Sequence, residues 1–478
     1  METETPAVLY ESVASDISAL IRSGTLGAGD RVPSVRRLSR QRRVSVSTVL
    51  QAYAMLENRG LIEARPQSGY YVRAPQRAIE EPAITRPPRA PQLVGVHEPV
   101  AAWLAARKPD IIPLGAAIPA PELVPTAKLG RIVAAIARRR PDAMASYGMP
   151  PGREELRRQI ALRARDWGVS LTADEVIITN GCMEALNLCL RAVARPGDII
   201  ALESPTYFGV LQIIESLGMK ALEIPTHPRH GISLDALALA LEREKVKACI
   251  IMPNVSNPLG STMPDAAKKR LVQMLSKYDI PLIEDGAYNA LHFSATPPYA
   301  AKAYDRKGAV MLCSSFTKSL VPGFRVGWAA PGRYYEQVAM LKFINSVGTP
   351  ELLQLAVAEF LENGGYERHL RMLRRAYSAQ AERMCAAVCE HFPEGTRVTR
   401  PSGGFVLWVE LPDGNDAVEL YERAMRDRIG FAPGPMFSAT GRYRNCLRLS
   451  CSIPWSSRIE GAIVRLGGLA RRSGKPRA

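Results

Sequence analysis

Four short runs of apolar residues predict strands in the middle and near the end of the chain. Residues 250–252, 280–285 and 310–315 form apolar runs that each lead into a polar or Pro/Gly-containing loop. Runs of this kind are typical of parallel strands that are buried on both faces and open at their carboxyl ends. Residues 446–451 instead alternate apolar and polar positions, as a half-buried strand does.

The first seventy-odd residues follow a different pattern. Residues 9–21 carry apolar side chains at helical spacing, and residues 45–57 predict another helix after one that begins near Pro33, which suits a first helical turn. Gly60 ends the last of these helices, and residues 61–73 predict a hairpin with a polar tip. Three helices and a hairpin together predict a winged helix-turn-helix.

The arginines of this module are concentrated in one segment. Six arginines fall within residues 31–43, and no acidic residue occurs from 31 to 56. A solvated basic face is the plain interpretation of such a cluster, but next to a helix-turn-helix it favours contact with DNA phosphates. The candidates to reach phosphates or base edges from the third helix are Ser47, Thr48 and Gln51. Leu50 is expected in the core.

The length, the charge and the proline content of the chain indicate how it is divided into domains. The chain has 478 residues, enough for two or three domains, and a formal net charge of +16, which favours a polyanionic partner. Residues 1–73 hold ten arginines against seven acids, so most of the excess charge lies elsewhere. Six prolines within 75–99 predict an extended, semi-stiff linker. We therefore expect domains at residues 1–74 and 100–478.

Several classes of protein are not expected. No signal peptide opens the chain and no apolar run approaches membrane-spanning length, so we expect a cytoplasmic protein without membrane contact. The eight cysteines lack metal-ligand spacing, and buried thiols in a reducing compartment are the plain interpretation. His227 and His230 have no evident third ligand, so no metal is expected.

Lys318 is the centre of the strongest candidate site. Ser315, Thr317 and Arg325 flank it, and hydroxyl groups with a guanidinium fork suit a phosphate. An amine nucleophile beside a phosphate clamp is what pyridoxal 5'-phosphate requires, since the amine can form an imine with its aldehyde. This interpretation depends on the spacing of the four residues, because a lone lysine is usually a solvated surface residue.

Side chains after two other predicted strands extend this site. Asp285 can lie under the pyridine nitrogen of the cofactor and keep it protonated. Tyr288 and Asn257 can donate hydrogen bonds to the phenolate oxygen of the ring. Each of these residues alone is explained by a strand end and a turn, so the hypothesis depends on the whole set.

These motifs resemble those of fold type I, class I aminotransferases, from about residue 113 to the C-terminus. The matching residues, in order and spacing, are Asn257-Pro, Asp285-x-x-Tyr288 and Ser315-x-Thr-Lys318 with Arg325. The resemblance implies an α/β body with a seven-stranded, mostly parallel sheet, helices on both faces and a site at a dimer interface. It also implies a smaller α+β C-terminal domain at roughly residues 365–478.

The resemblance implies further contacts around the cofactor. Gly181, Cys182 and Met183 match a loop-to-helix turn that cradles the phosphate, and Tyr207 matches the aromatic residue that stacks on the ring. Tyr147 matches a tyrosine that approaches the phosphate of the neighbouring subunit. Arg448 occupies the position that binds the α-carboxylate of a substrate or effector; the alternative is a solvated arginine on an edge strand.

The N-terminal module resembles the DNA-binding domain of GntR-type regulators. The matching segments are residues 29–36, 47–49, 52–53 and 68–72. The resemblance implies that Arg36, Ser47, Thr48 and the wing residue Gly69 touch double-stranded DNA. Val46 replaces a residue that is often polar in such proteins and can instead meet a thymine methyl group.

A GntR-type head followed by an aminotransferase-like body resembles the MocR family of transcriptional regulators. This implies a DNA-binding regulator, assembled as a head-to-tail homodimer, that senses an amino compound or pyridoxal phosphate through Schiff-base chemistry at Lys318. The alternative is a catalytically active class I aminotransferase with an appended DNA-binding domain, because no residue of the cofactor set is missing. The third possibility is an aminotransferase-like body that has lost the cofactor and serves only to dimerise. The intact set of cofactor residues argues against it.

Overall fold

The computed structural model describes residues 9–58, 60–65, 68–73, 80–106 and 108–473. Three helices and a hairpin open the chain, as the sequence pattern predicts. They are α1 (Leu9–Arg22), α2 (Val35–Arg42), α3 (Val46–Asn58), β1 (Ile62–Arg65) and β2 (Gly69–Val72). The expected hairpin tip at residues 66 and 67 lies outside the described residues.

The helices of this unit close on one small core. Tyr53 of α3 is fully buried, and its hydroxyl donates to the carbonyl of Pro33. Pro33 lies just before α2 and not in its first turn, because the Ser34 hydroxyl caps the helix by accepting the backbone N–H of Arg37. Leu50, which was expected in the core, is 45% exposed. The face of α3 that carries Leu50 is therefore available to a partner.

A large mixed sheet with flanking helices forms the centre of the body. Its elements are β3 (Gln92–Leu93), α4 (His97–Ala105), β4 (Ile112–Pro113), α5 (Thr126–Arg139), α6 (Asp142–Ala145), α7 (Glu154–Ala164), β5 (Ile177–Thr179), α8 (Cys182–Val193), β6 (Ile199–Ser204), α9 (Phe208–Ser216), β7 (Lys220–His227), β8 (Gly231–Ile232), α10 (Leu234–Arg243), β9 (Val246–Ile251), α11 (Asp265–Lys277), β10 (Leu282–Asp285), β11 (Val310–Ser315) and β12 (Gly327–Ala330). The strand order is β3-β7-β6-β9-β10-β11-β12-β5, with β8 beside β7.

The order and direction of these strands confirm the predicted aminotransferase-type sheet. Strands β7, β6, β9, β10 and β11 run parallel, and β12 is antiparallel to both β11 and β5. Met311 and Cys313 of β11 pack with α8 and α9, whereas Leu312 packs on the opposite face, so helices cover both sides. The carboxyl ends of β9, β10 and β11 meet at one edge, where the loops that follow them share a cleft.

The C-terminal part builds helices around a small antiparallel sheet. Its elements are α12 (Tyr335–Ser346), α13 (Glu351–Glu362), α14 (Gly365–His391), β13 (Arg397–Val398), β14 (Val406–Glu410), α15 (Ala417–Arg426), β15 (Ile429–Gly430), β16 (Ala432–Pro433), β17 (Cys446–Ser450) and α16 (Ser457–Ser473). Strands β13, β14, β17 and β16 form the sheet in that order. The parallel pairing of β15 with β4 ties this part to the segment that precedes α5.

The described part of the expected linker lies on the body and does not stand free. Thr85 donates its backbone N–H to the Thr226 carbonyl, and its hydroxyl accepts the Thr226 N–H at 2.8 Å. Glu81 accepts the backbone N–H of Arg400, and β3 pairs with β7. The remaining linker residues up to 79 lie outside the described part of the chain. From residue 80 onward, the predicted linker therefore has hydrogen-bond partners on the body.

No helix within the described residues combines the length and apolar character needed to cross a membrane. The same residues contain no group of three histidine, cysteine or acidic side chains placed to hold a metal ion.

Candidate functional site

The loops after β9, β10 and β11 enclose a cleft of about 260 Å³. Ten of the sequence-predicted residues line it, namely Cys182, Met183, Tyr207, Asn257, Asp285, Tyr288, Ser315, Thr317, Lys318 and Arg325. Ile118 and Pro119, which the sequence did not single out, line the same cleft. The residues collected from five separate segments therefore form one site.

Lys318 projects into this cleft from the loop after β11. Its Nζ donates to the Ala117 carbonyl at 2.6 Å and lies 5.8 Å from the centroid of the Tyr288 ring. Burial, followed by the positive charge of Arg448, lowers the pKa of Lys318 to about 8. A sizeable share of the amine is therefore neutral and nucleophilic just above neutral pH.

Asp285 lies on the floor of the cleft at the end of β10. Its Oδ1 accepts the Ala287 backbone N–H at 3.0 Å and lies 3.4 Å from Cys182 Sγ. Burial raises the pKa of Asp285 and also that of the Cys182 thiol. A buried carboxyl group with so few donors fits a ligand that brings its own proton, as a protonated ring nitrogen does.

An anion cradle lies where α8 begins. Gly181 caps the helix with φ 90°, and a Cβ at this position would collide with the guanidinium of Arg325, so the site requires glycine. Arg325 donates to the Thr317 hydroxyl at 3.2 Å and to the Asn180 carbonyl at 3.3 Å. The first N–H groups of α8, the guanidinium and the hydroxyl together fit a phosphate.

A buried ion pair that the sequence did not reveal holds this cradle in place. Lys342 Nζ of α12 lies 2.7 Å from Glu184 Oε2 of α8. The Glu184 carboxylate also accepts the Asn180 backbone N–H and the Ser346 hydroxyl, each at 2.6 Å. Although burial favours the neutral acid, the Asn180 N–H and the Lys342 ammonium hold the pKa of Glu184 below its ordinary value. The contacts thus connect α12 through Asn180 to Arg325.

Arg448 of β17 is a buried cation beside the cleft, not the solvated edge-strand residue of the alternative interpretation. Its Nη1 donates to Asn257 Oδ1 at 2.9 Å and its Nη2 to the Gly115 carbonyl at 2.6 Å, while Nε has no partner in the described part of the chain. Burial lowers the pKa of Arg448. Among the described carboxylates, none lies within ion-pair distance of it. A guanidinium held only by neutral groups fits a carboxylate brought by a ligand.

Two tyrosines complete the walls. The Tyr288 hydroxyl is buried and has no hydrogen-bond partner among the described residues. Tyr207 caps α9, and its half-buried ring faces the cleft beside Met183. The unpartnered Tyr288 hydroxyl, the Asp285 carboxyl group, the cradle and the amine together match the polar groups of pyridoxal phosphate. The residues present therefore fit this cofactor.

Tyr147 is the predicted cofactor residue that the structure keeps apart from the rest. It follows α6, is 77% exposed and does not line the cleft of its own chain. Its predicted contact with a neighbouring subunit stays a prediction.

The predicted DNA-contacting residues of the helices lie at the surface of the N-terminal unit. Arg36 and Ser47 are exposed and Thr48 is half-buried. The Ser45 hydroxyl at the start of α3 pairs with the hydroxyls of Ser47 and Thr48 at 2.8 and 2.7 Å. These three hydroxyls form one polar cluster at the N-terminus of α3.

Two further residues predicted to contact DNA, Gly69 and Gln51, lie close to other groups of the protein. Gly69 begins β2 with φ 110°, and the Arg31 guanidinium lies 3.4 Å from where its Cβ would be. Gln51 is exposed but lines a groove that α3 forms with α14. Gln51 therefore faces the body of the protein as well as solvent, which the helical spacing alone does not indicate.

Comparisons with known proteins match both parts of the chain. The family described as aminotransferase class I and II matches residues 115–466, and bacterial regulatory proteins of the gntR family match residues 9–72. The chain is 39% identical to an uncharacterized HTH-type transcriptional regulator, YjiR of Escherichia coli (strain K12), over 97% of this chain and 99% of that protein. It is also 28% identical to the similarly named YisV of Bacillus subtilis (strain 168), over 97% of this chain and 96% of that protein.

Solved structures of aminotransferases are similar to the body of this chain. LysN, the alpha-aminoadipate aminotransferase of Thermus thermophilus complexed with N-(5'-phosphopyridoxyl)-L-leucine, has a TM-score of 0.73 and 31% identity over 78% of this chain and 94% of that chain. The kynurenine aminotransferase of Pyrococcus horikoshii, in complex with PMP, has a TM-score of 0.74 and 30% identity over 80% and 96%. With a gntR-family DNA-binding domain before a pyridoxal-phosphate-dependent aminotransferase domain, the chain belongs to the MocR family of transcriptional regulators.

Proposed function

We propose that this regulator holds pyridoxal phosphate at Lys318 and that an amino-acid effector entering the same cleft changes how its heads bind DNA. The observation that carries the proposal is Arg448, a buried guanidinium without an acidic partner in the described residues, which shares Asn257 with the cleft that Lys318 enters. A cation in that position favours a ligand that carries both an amine and a carboxylate. Because the proposed partner is DNA, we also infer a cytoplasmic location.

Each part of the cleft has a proposed task in holding the cofactor. Bound pyridoxal phosphate supplies an aldehyde that reacts with primary amines and a ring that accepts electrons. The cradle of Gly181, Arg325 and Thr317 would hold the phosphate, with Ser315, Cys182 and Met183 beside it. Asp285 would face the ring nitrogen, Asn257 and Tyr288 would donate to the ring oxygen, and Tyr207 would stack on the ring.

Lys318 would act as nucleophile and proton carrier in this site. Its pKa of about 8 lies below that of a free lysine, so the neutral amine increases as the pH rises through about 8. Capture of the cofactor by cofactor-free protein should therefore quicken with pH and level off above that value. Once released by an effector amine, the same group can take up or return a proton in the cleft.

The effector can alter DNA binding only if it binds one arrangement of the heads more tightly than another. Arg448 donates to the Gly115 carbonyl, and the following segment supplies Ile118, Pro119 and the Ala117 carbonyl around Lys318. A carboxylate bound by Arg448 would therefore act on this segment. The pairing of β4 with β15 connects the segment to the C-terminal part that contains the small antiparallel sheet. We infer that closure of this segment over the cleft is the step that favours one arrangement of the DNA-binding heads over another.

A titration of the full-length protein with amino acids tests the proposal. For each sample one measures the visible absorption of the bound cofactor, the affinity for DNA from the protein's own promoter region by fluorescence anisotropy, and the amount of 2-oxo acid formed. We expect at least one amino acid to shift the band and change DNA affinity without multiple turnovers. DNA affinity that is the same with and without every amine and in every cofactor state would refute the sensing role.

A working aminotransferase is the second candidate, because no member of the cofactor set is missing and Lys318 is placed to move a proton. The solved structures at about 30% identity are themselves named aminotransferases. Steady formation of 2-oxo acid from an amino acid and a second 2-oxo acid, at about 1 per second or faster, would favour this function.

The positioning role of Glu184 gives a prediction. Glu184→Gln removes the counter-charge of buried Lys342 and replaces one of the two acceptor oxygens by an NH2 group, so we expect a loss of about 3 kcal/mol in the free energy of unfolding. Affinity for pyridoxal phosphate should fall about 10-fold because the cradle loosens. Chemical denaturation and cofactor titration measure the two effects separately.

The double variant Glu184→Gln/Lys342→Met is the matched control for this prediction. Removing both charges should restore most of the lost stability while cofactor affinity stays low. Recovery of cofactor affinity together with stability would mean that Glu184 serves only the fold.

We further propose a head-to-tail homodimer in which Tyr147 reaches the phosphate held by the other subunit. Its exposure and its absence from the cleft of its own chain support this arrangement. Tyr147→Phe should weaken cofactor affinity about 10-fold, as expected for a lost hydrogen bond to a charged group. Titration of the variant with pyridoxal phosphate measures the change.

Mixed dimers show in which subunit Tyr147 acts. A dimer of one Tyr147→Phe chain and one Lys318→Ala chain retains one intact site if the tyrosine acts across the interface. It should then bind one cofactor per dimer with the affinity of the natural protein. If the tyrosine acts within its own chain, the remaining site will show the weakened affinity of Tyr147→Phe.

A further inference from the structure

A second cavity, of about 210 Å³, lies behind one wall of the cofactor cleft. Ser315 and Ala287 line both spaces. Along the loop after β11, Thr317 and Lys318 face the cleft, whereas Phe316 and Ser319 face the cavity. One short loop therefore separates the two spaces and contributes side chains to each.

One part of the wall of this cavity is apolar and aromatic. The rings of Trp167 and Trp328 stack with centroids 6.2 Å apart and an interplanar angle of 8°. Phe316 and Leu370 line the cavity as well, and the buried Tyr366 hydroxyl is occupied by its hydrogen bond with Ser319 at 2.7 Å. Such a lining suits a ligand with a planar apolar body.

Arg374 of α14 is the cation of the cavity with open donors, and it also lines the groove that contains Gln51. Its Nε donates to the Ala290 carbonyl at 2.9 Å, and within the described ranges its two Nη atoms have no hydrogen bond or ion pair. Arg163, the other arginine of the lining, donates from Nη1 to the Gln159 side chain at 2.8 Å and from Nη2 to the Leu361 carbonyl at 2.6 Å. Its buried Nε has no hydrogen-bond partner among the described residues and lies 4.0 Å from Glu367. The charges of Glu367 and Asp166 act on Arg374, but neither acid lies within ion-pair distance, so its two Nη atoms can still donate to a carboxylate.

The acids near the cavity limit the charge of such a ligand. Glu367 lies 4.0 Å from Arg163 and is engaged with it, and Asp166 lies exposed on the lining. A second negative group on the ligand would meet Asp166 without a free cation to balance it. One carboxylate on an apolar body is therefore the best match.

We propose that this cavity binds a small aromatic monocarboxylate, with its ring between the apolar walls and its carboxylate on Arg374. The site is separate from the cofactor cleft and goes beyond the amine-sensing function. Because Phe316 and Ser319 lie on the Lys318 loop, occupancy is also expected to shift the visible band of bound pyridoxal phosphate, a readout that rests on the proposed function.

The test uses 4-phenylbutyrate as the probe and the full-length protein. Titration calorimetry and the tryptophan fluorescence of Trp167 and Trp328 should report saturable binding. Arg374→Gln should weaken that binding about 10-fold or more, as expected for a lost charged hydrogen bond, and Arg374→Lys should restore part of it. The uncharged analogue 4-phenylbutanol should bind as weakly to the natural protein as the probe binds to Arg374→Gln.

Arg448→Gln separates this site from the cofactor cleft, and it should leave binding of the probe unchanged. Loss of binding in Arg448→Gln with retention in Arg374→Gln would place the probe in the cleft and overturn the proposal. Absence of saturable binding, or equal affinity in the natural protein and both arginine variants, would overturn it too. Because calorimetry needs no cofactor signal, these outcomes stand apart from those for Lys318.

Discussion

Lys318→Ala should lose the visible absorption band of the protein with pyridoxal phosphate and retain the cofactor about 100-fold less well, a difference of about 2.8 kcal/mol. Lys318 is the only lysine among the described residues that line the cleft. Its lowered pKa of about 8 supplies the neutral amine that attacks the aldehyde, and alanine offers no substitute. Absorption spectra before and after desalting measure both effects.

Two further variants make this prediction specific. Lys318→Arg keeps a cation in the cleft but lacks a nucleophilic amine, so it should behave like the alanine variant. Lys307→Ala removes an exposed lysine that donates to the Ser276 carbonyl, outside the cleft, and should leave the band unchanged. A full band in Lys318→Ala after desalting would mean that another amine of the protein holds the cofactor.

The strands that build the cleft were predictable because their signals are local. Strands β10 and β11 are apolar runs with polar ends, and burial on both faces leaves that pattern in the sequence without reference to any partner. Strands β3 and β8 were not predicted, since each has two residues and forms only because β7 offers an unpaired edge. Pairing across long separations leaves no periodic signal in so short a segment.

The site residues likewise divide into those that local sequence signals predict and those that only tertiary packing brings together. Asp285, Lys318 and Arg325 were found because the chemistry of one cofactor requires their residue types at strand ends. The Glu184–Lys342 pair joins residues 158 positions apart and follows no chemical spacing, so only the packing of α12 on α8 brings it together. Gln51 was assigned to DNA from helical spacing alone, which cannot show that α14 approaches the same face of α3.

Arg448→Gln should weaken binding of L-leucine, as a representative amino acid, about 10- to 100-fold while leaving binding of 3-methylbutylamine unchanged. The two ligands share the amine and the branched chain and differ in the carboxylate. The buried guanidinium meets only neutral acceptors among the described residues, so the ligand would supply its charged partner, and such a hydrogen bond contributes about 1.5 to 3 kcal/mol. Band shifts in titrations of the cofactor-loaded protein give both affinities.

The comparison of two ligands is what separates recognition from structural support. Glutamine can retain one hydrogen bond to Asn257 or to the Gly115 carbonyl, but a change in the packing of the cleft would weaken both ligands alike. Arg442→Gln is the matched control, because Arg442 is an exposed arginine that donates to the Arg86 carbonyl outside the cleft, and it should affect neither ligand. If L-leucine and 3-methylbutylamine lose affinity equally in Arg448→Gln, Arg448 supports the fold of the cleft and the carboxylate of the effector is bound elsewhere.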